Sequence, residues 1–350
     1  MKVYKKNIAF TKTPLSGQYQ FKDYFKIYPF TTANGPKNKS AKHFPCIIEL
    51  TYEEDDVKGV KPFDLFHVDK MISETTTQTN KLIEITNLLS AITNYRFFFY
   101  RNMEMFWSIP LLEKRKEEMD HLTSDWSFSL FYYPDLAKDF EMGKSFSETK
   151  FPPIKLTERR RYYFYNPVES TEKEIDFPID IDLVLTNYLG LTADEKLVCD
   201  SAIFTLCNGL DLSDKMKSLS FISVVSSIET LAHHEFKNEI VEYECNDCKT
   251  LKSSSRNCST CGRPIWGITA KFREFLFKYV SEEKEARKMY NKIYTIRSKI
   301  SHTDYLVNGE NFLNWDFSDE TDEIAKKHIE AVQLSRRAMS SWLGQRTNLK

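Results

Sequence analysis

From Thr192 onward the apolar residues of this chain recur at the spacing of α-helices, and one insert breaks the run. The insert reads Cys245-Asn-Asp-Cys248, nine residues, then Cys258-Ser-Thr-Cys261-Gly262. Two Cys-x2-Cys pairs can set four thiolates at the corners of a tetrahedron, the arrangement of a closed structural zinc site. Four protein ligands leave no open coordination position, so such a metal holds shape and does no chemistry. The zinc-ribbon insert spans residues 243–264. In a reducing compartment disulfides do not compete well for these thiols, and an iron–sulfur cluster is the minor alternative. Lys249, Lys252, Arg256 and Arg263 would permit the ribbon to touch nucleic acid, although a purely structural insert is the simpler reading.

The helical segments around the insert are legible one by one. Thr192-Ala-Asp-Glu195 has the form of a capping box before Leu197, Val198, Ala202, Ile203, Leu206 and Leu210. A second helix is expected from Ser213, a third over 268–280, a fourth carrying Arg297 and His302, and a fifth over 321–343. Four or five antiparallel helices make a bundle, so residues 190–345 read as an all-α domain.

Residues 1–175 read differently, as a mixed, β-rich domain. Residues 46–52 are β-prone, 34–40 form a loop, and 75–92 carry helical spacing in Leu82, Ile83, Ile85, Leu88, Leu89 and Ile92. The aromatic runs 96–101, 105–109 and 126–133 are strand-like, with a charged, exposed segment at 113–118. Arg159-Arg-Arg-Tyr-Tyr-Phe-Tyr165 interleaves bases with aromatics, as a single-strand-binding surface does; a strand with one solvated face explains it equally well. Residues 167–178 are the expected linker. The fold class is therefore α+β, a β-rich half followed by a helical bundle carrying a zinc ribbon.

Charge narrows the partners. Lys and Arg total 49 against 50 Asp and Glu, a net charge of -1, so any nucleic-acid contact must come from a local patch. Only ten glycines occur in 350 residues and no Walker or dinucleotide fingerprint is present. No apolar run suits a signal peptide or a membrane span, and the cysteines occur in metal-like pairs, so the expected location is the cytoplasm.

The chemistry is expected at Arg297-Ser298-Lys-Ile-Ser-His302, the end of an amphipathic helix carrying Met289, Tyr290, Ile293, Tyr294, Ile296 and Ile300. A guanidinium grips phosphate oxygens bidentately, and an imidazole moves a proton near neutral pH. Five helical steps put His302 about 140° round from Arg297, so the two converge within one chain only if the helix frays or bends near Ser301.

The order Ser226-Ser-Ile-Glu-Thr-Leu231, Lys271-Phe-Arg-Glu-Phe-Leu276, Tyr294-Thr-Ile-Arg297-Ser298-Lys-Ile-Ser-His302 resembles the HEPN superfamily, and within it the ApeA-like domains of bacterial anti-phage proteins. The resemblance covers roughly residues 190–345. It implies an all-helical homodimer whose paired Arg/His motifs form one composite, metal-independent endoribonuclease site, used as an abortive-infection or toxin-type effector. Arg297 and His302 carry over as catalytic residues. Ser298 fills the polar position after the arginine, and Glu229 is acidic where many relatives are acidic, although a solvated helix position explains it equally well. One branch of the superfamily has a modifiable tyrosine two residues after the histidine; here that place is Asp304, and Tyr305 lies one step later. His233-His234 is a further candidate for the cleft, or a surface pair.

The expected reaction is attack of an RNA 2′-OH on its own phosphorus, in single-stranded or loop RNA whose backbone can rotate into line. His302 carries a proton and Arg297 meets the charge gathering on the phosphorane. No catalytic metal is expected, since no acidic cluster suited to magnesium is visible. A phage-derived trigger or regulatory partner is also implied, with the amino-terminal half as the candidate sensor. The rival reading is a non-catalytic HEPN adaptor with a zinc ribbon, binding RNA or a protein; a zinc-ribbon DNA-binding regulator fits less well with the near-zero net charge.

Overall fold

The computed structural model describes residues 2–30, 44–53, 68–99, 144–164, 173–239, 241–244, 248–254, 267–302, 307 and 319–346. Two compact units divide the chain, Met1–Asp182 and Leu183–Lys350. The expected loop at 34–40, the aromatic runs at 105–109 and 126–133, and the charged segment at 113–118 lie outside the described residues.

In the first unit, five strands form an antiparallel sheet in the order β2-β3-β4-β1-β5: β1 (Lys2–Thr11), β2 (Tyr19–Phe21), β3 (Phe25–Pro29), β4 (Phe44–Glu53) and β5 (Phe97–Phe98). β1 and β4 pair along their whole length, from Lys2 opposite Glu53 to Thr11 opposite Phe44. Helix α1 (Val68–Ile92) packs on β4 and β5 through Leu82, Ile85, Leu88, Leu89 and Ile92, all buried. Its apolar residues lie three and four apart, which gathers them on one face.

Two expectations change here. The basic-aromatic run is a short helix, α2 (Arg159–Phe164), between β6 (Leu156–Thr157) and β7 (Phe177–Pro178). Its tyrosines are core residues: Tyr162 accepts from the Asn94 amide at 2.9 Å and Tyr163 donates to the Ile92 carbonyl. Arg159 pairs with Asp180. No stacking surface for bases remains on Tyr162 or Tyr163. The expected linker is also partly structured, because Ile175 and Phe177 alternate with charged residues and are buried, and β7 pairs in parallel with β6. An apolar residue at every second position suits a strand with one covered face, which a linker does not need.

The second unit is helical. A helix not expected from the sequence, α3 (Ile181–Leu189), buries Ile181, Val184, Leu185 and Tyr188. α4 (Ala193–Leu212) starts at the expected capping box: the Thr192 side chain accepts from the Glu195 amide while Glu195 reaches back to the Thr192 amide. α5 (Lys217–Glu235) follows after a short connection and packs along α4. Gly209 makes that crossing close. A Cβ there would stand 3.0 Å from Val224 Cγ2 and 3.1 Å from the Ser220 carbonyl oxygen, tighter than ordinary van der Waals contact.

After a small antiparallel pair, β8 (Val241–Glu244) and β9 (Leu251–Ser254), come α6 (Ile268–Tyr279), α7 (Lys284–His302) and α8 (Asp319–Gly344). α5 touches α4, α6, α7 and α8, so it is the central helix. It is buried through Phe221, Val224, Val225, Ile228, Leu231 and Ala232, and with them Glu229.

Candidate functional site

A carboxylate on the buried face of a central helix needs a partner, since an unpaired buried charge costs several kcal/mol. Glu229 occupies the place four residues after Val225, where the pattern of α5 calls for an apolar side chain. Its partner comes from α7, where Arg297 Nη2 donates to Glu229 Oε2 at 3.0 Å. The two side chains are 21% and 10% exposed, so the pair is largely shielded from water and from salt. The Arg297 guanidinium also lies 5.9 Å from the centre of the Tyr294 ring. Its Nε is buried and has no hydrogen-bond partner among the described residues.

Tyr294 completes the surroundings. It is buried against Phe272 of α6, with ring centres 5.2 Å apart. Burial pushes its phenol up; the Thr269 side chain opposes the shift, and the negative charge of Glu229 adds to it. The tyrosine therefore stays a neutral hydroxyl at physiological pH. The sequence marks Tyr294 only as part of the apolar face of α7 and does not mark Thr269, and the signal that could place them here is the acidic residue in the apolar stripe of α5.

His302 stands elsewhere on the same helix. α7 continues through it without a break, and the side chain is exposed. An unbroken helix keeps the separation of about 140° from Arg297. Arg297 thus turns inward to Glu229 while His302 turns to solvent at the carboxy-terminal end. Ser298 is half-buried beside the arginine. His234 packs on Trp342, with ring centres 6.5 Å apart, and His233 is exposed. Burial, with the positive charges of Lys237 and Arg346, holds the His234 imidazole below its ordinary value.

Of the cysteines, Cys248 is described and half-buried, in the β8–β9 connection; Cys245, Cys258 and Cys261 lie outside the described residues. Lys249, directly after Cys248, has a φ of 52°, the left-handed region. Gly262 takes the equivalent place after Cys261, and glycine enters that region at no steric cost. The two Cys-x2-Cys pairs are thus each followed by a residue that suits, or has adopted, the same sharp turn.

A second charged cluster surrounds Glu235 at the end of α5. Its carboxylate accepts from Lys278 at 2.6 Å, Tyr279 at 2.7 Å and Trp342 at 3.0 Å, and also from Arg346. Arg346 in turn reaches Glu195 of the capping box at 3.1 Å. Burial would raise the Glu235 carboxyl, but these donors outweigh it and hold it down at about 2. The carboxylate is saturated with donors, which suits a tie between helix ends. Ser220 and His328 also meet, at 2.8 Å, yet Ser220 already donates to the Gly209 carbonyl at 2.6 Å, so its proton is committed and the oxygen is no nucleophile.

Comparison with models of known protein families, with curated proteins and with solved structures found no match.

Proposed function

We propose that the second unit is an ApeA-like HEPN domain acting as a metal-independent endoribonuclease on single-stranded or loop RNA. On this reading it serves in the cytoplasm as an anti-phage or toxin-type effector. One observation carries the reading: Arg297 is fastened by buried Glu229, its Nε has no partner among the described residues, and His302 stands exposed five residues on. A guanidinium whose position is set in advance loses little freedom on meeting a phosphate. Glu229, the supporting residue expected from sequence, holds it there; Ser298 lies beside it.

The 2′-OH attacks phosphorus, the P–O5′ bond breaks, and the products are a 2′,3′-cyclic phosphate and a 5′-OH. One group removes the 2′ proton and another protonates the leaving 5′ oxygen. Each chain supplies one His302, and on one helix it faces away from Arg297. An isologous dimer with its two-fold axis beside α7 brings a second His302 and a second Arg297 to the same cleft. One histidine then serves as base and the other as acid, with arginine opposite the phosphorane charge.

Cys245, Cys248, Cys258 and Cys261 would hold one structural zinc. The turn after Cys248 and the glycine after Cys261 support this set. The metal would fix the insert between α5 and α6.

A non-catalytic adaptor is the second reading, and the same ion pair favours it, because Glu229 with Arg297 also simply joins α5 to α7. Incubation with RNA oligonucleotides and end analysis separates the two. Cleavage without added divalent ions, a cyclic phosphate end, resistance of a substrate with 2′-deoxy at the cut position, and loss of activity in His302→Ala are expected. Strict magnesium dependence, or cutting of the deoxy substrate, would refute the mechanism. No cleavage by folded protein leaves the adaptor. A wild-type/His302→Ala heterodimer should fall far below half activity; retention of half refutes the shared site.

A further inference from the structure

We propose that the solvent face of α7 is a track for the phosphate backbone of single-stranded RNA. The proposal rests on the nuclease reading only for what lies at the end of the track. At 100° per residue, Lys284, Lys288, Lys292, Lys299 and His302 fall within an arc of about 80° on one side of the helix. All five are exposed. From Lys284 to His302 the stripe is about 27 Å long. Glu285 is the one acidic residue of α7, against six Lys and Arg, in a chain whose net charge is -1. Glu282 and Glu283 precede the helix and Asp304 follows it, so the positive charge is concentrated along the body of α7 between them.

The arrangement is unfavourable for the helix alone. Lys284 and Lys288 are spaced one turn apart, and like charges at that spacing repel. A local choice that works against its own element marks function more often than folding. A polyanion removes the repulsion and gains from the released counterions.

The fold also selects the kind of polyanion. A basic amphipathic helix can lie on a membrane when its apolar face is free to enter the lipid. Here Tyr290, Ile293, Tyr294 and Ile296 are buried in the protein, so the face that α7 turns to solvent is the lysine one. The stripe is one helix wide with about one lysine per turn, which follows one strand and leads it to the histidine. No aromatic side chain of α7 shares the stripe, so α7 itself offers bases no stacking partner and its lysines contact phosphate without reading sequence.

The test is anisotropy of a labelled single-stranded 2′-deoxy oligonucleotide, which cannot undergo 2′-OH attack, titrated with the full chain over a salt series. Four lysine contacts predict a slope of log K against log salt of about -3, at roughly -0.7 per phosphate. The triple variant Lys284→Gln/Lys288→Gln/Lys292→Gln should lose about 2 of that slope and bind at least tenfold more weakly, with a melting temperature equal to or slightly above that of wild type, since the like charges no longer repel. An unchanged slope in the variant overturns the proposal. So does stronger binding to phosphatidylserine vesicles than to the oligonucleotide. The two readings fail separately. Loss of binding in the variant, with no RNA cleavage by wild type, keeps the track and removes the nuclease. Cleavage by the variant with the wild-type KM and salt dependence keeps the nuclease and removes the track.

Discussion

Glu229→Gln and Arg297→Met, alone and together, test whether the ion pair organises the site. Each single change leaves one largely buried charge without its partner. Breaking a buried pair from one side costs about 3–5 kcal/mol. The Arg297 side chain keeps 21% of its exposure, which places this pair at the low end, near 3 kcal/mol for each single variant. For a domain of this size that is a fall in melting temperature of about 6–12 °C. The double variant leaves no unpaired charge, so its loss should be smaller than the sum of the singles by about 2 kcal/mol. The assay is thermal unfolding with hydrogen exchange on peptides from α5 and α7, which keeps the reading on the second unit. Additive losses would show that the two side chains act independently, and the reasoning would fail. Activity adds a second readout: Glu229→Gln should raise KM for RNA, because the guanidinium survives but is no longer held.

The remaining predictions concern charge and metal. The folded Glu235 carboxyl lies at about 2, below its unfolded value of 4.5, so its stabilisation is complete above about pH 5 and is lost as the pH falls towards 2. Acid unfolding should show that loss, about 1–2 kcal/mol after solvent screening at the Lys278 and Arg346 ends, and Glu235→Gln should flatten the acid limb; an unaltered limb would exclude the role. Elemental analysis of protein purified without chelators should give one zinc per chain. Cys245→Ser or Cys261→Ser should lose the metal and local stability while Arg297 and Glu229 stay paired; metal-free wild-type protein would remove the zinc.

Where residues act on near neighbours, the sequence alone determined the outcome. The capping box at Thr192 and Glu195 is a contact across three residues, and it appears as expected. The helical stretches of the second unit follow from their 3.6-residue spacing, with starts displaced by a few residues, as at Lys217 in place of Ser213. Local pattern failed where two elements fit one string of residues. Arg159–Phe164 alternates too little to tell strand from helix, and partners at Asn94, Ile92 and Asp180 settle it. α3 escapes the sequence because exposed Leu183 and Leu189 put apolar residues on its outer face too and blur the helical spacing of Val184, Leu185 and Tyr188. The pairing of β1 with β4 and the meeting of Glu229 with Arg297 belong to tertiary structure alone. Both are contacts between residues far apart in the chain, chosen by burial: a sheet edge takes the strand that covers its apolar face, and a carboxylate carried into a core takes the one cation that the neighbouring helix brings within reach.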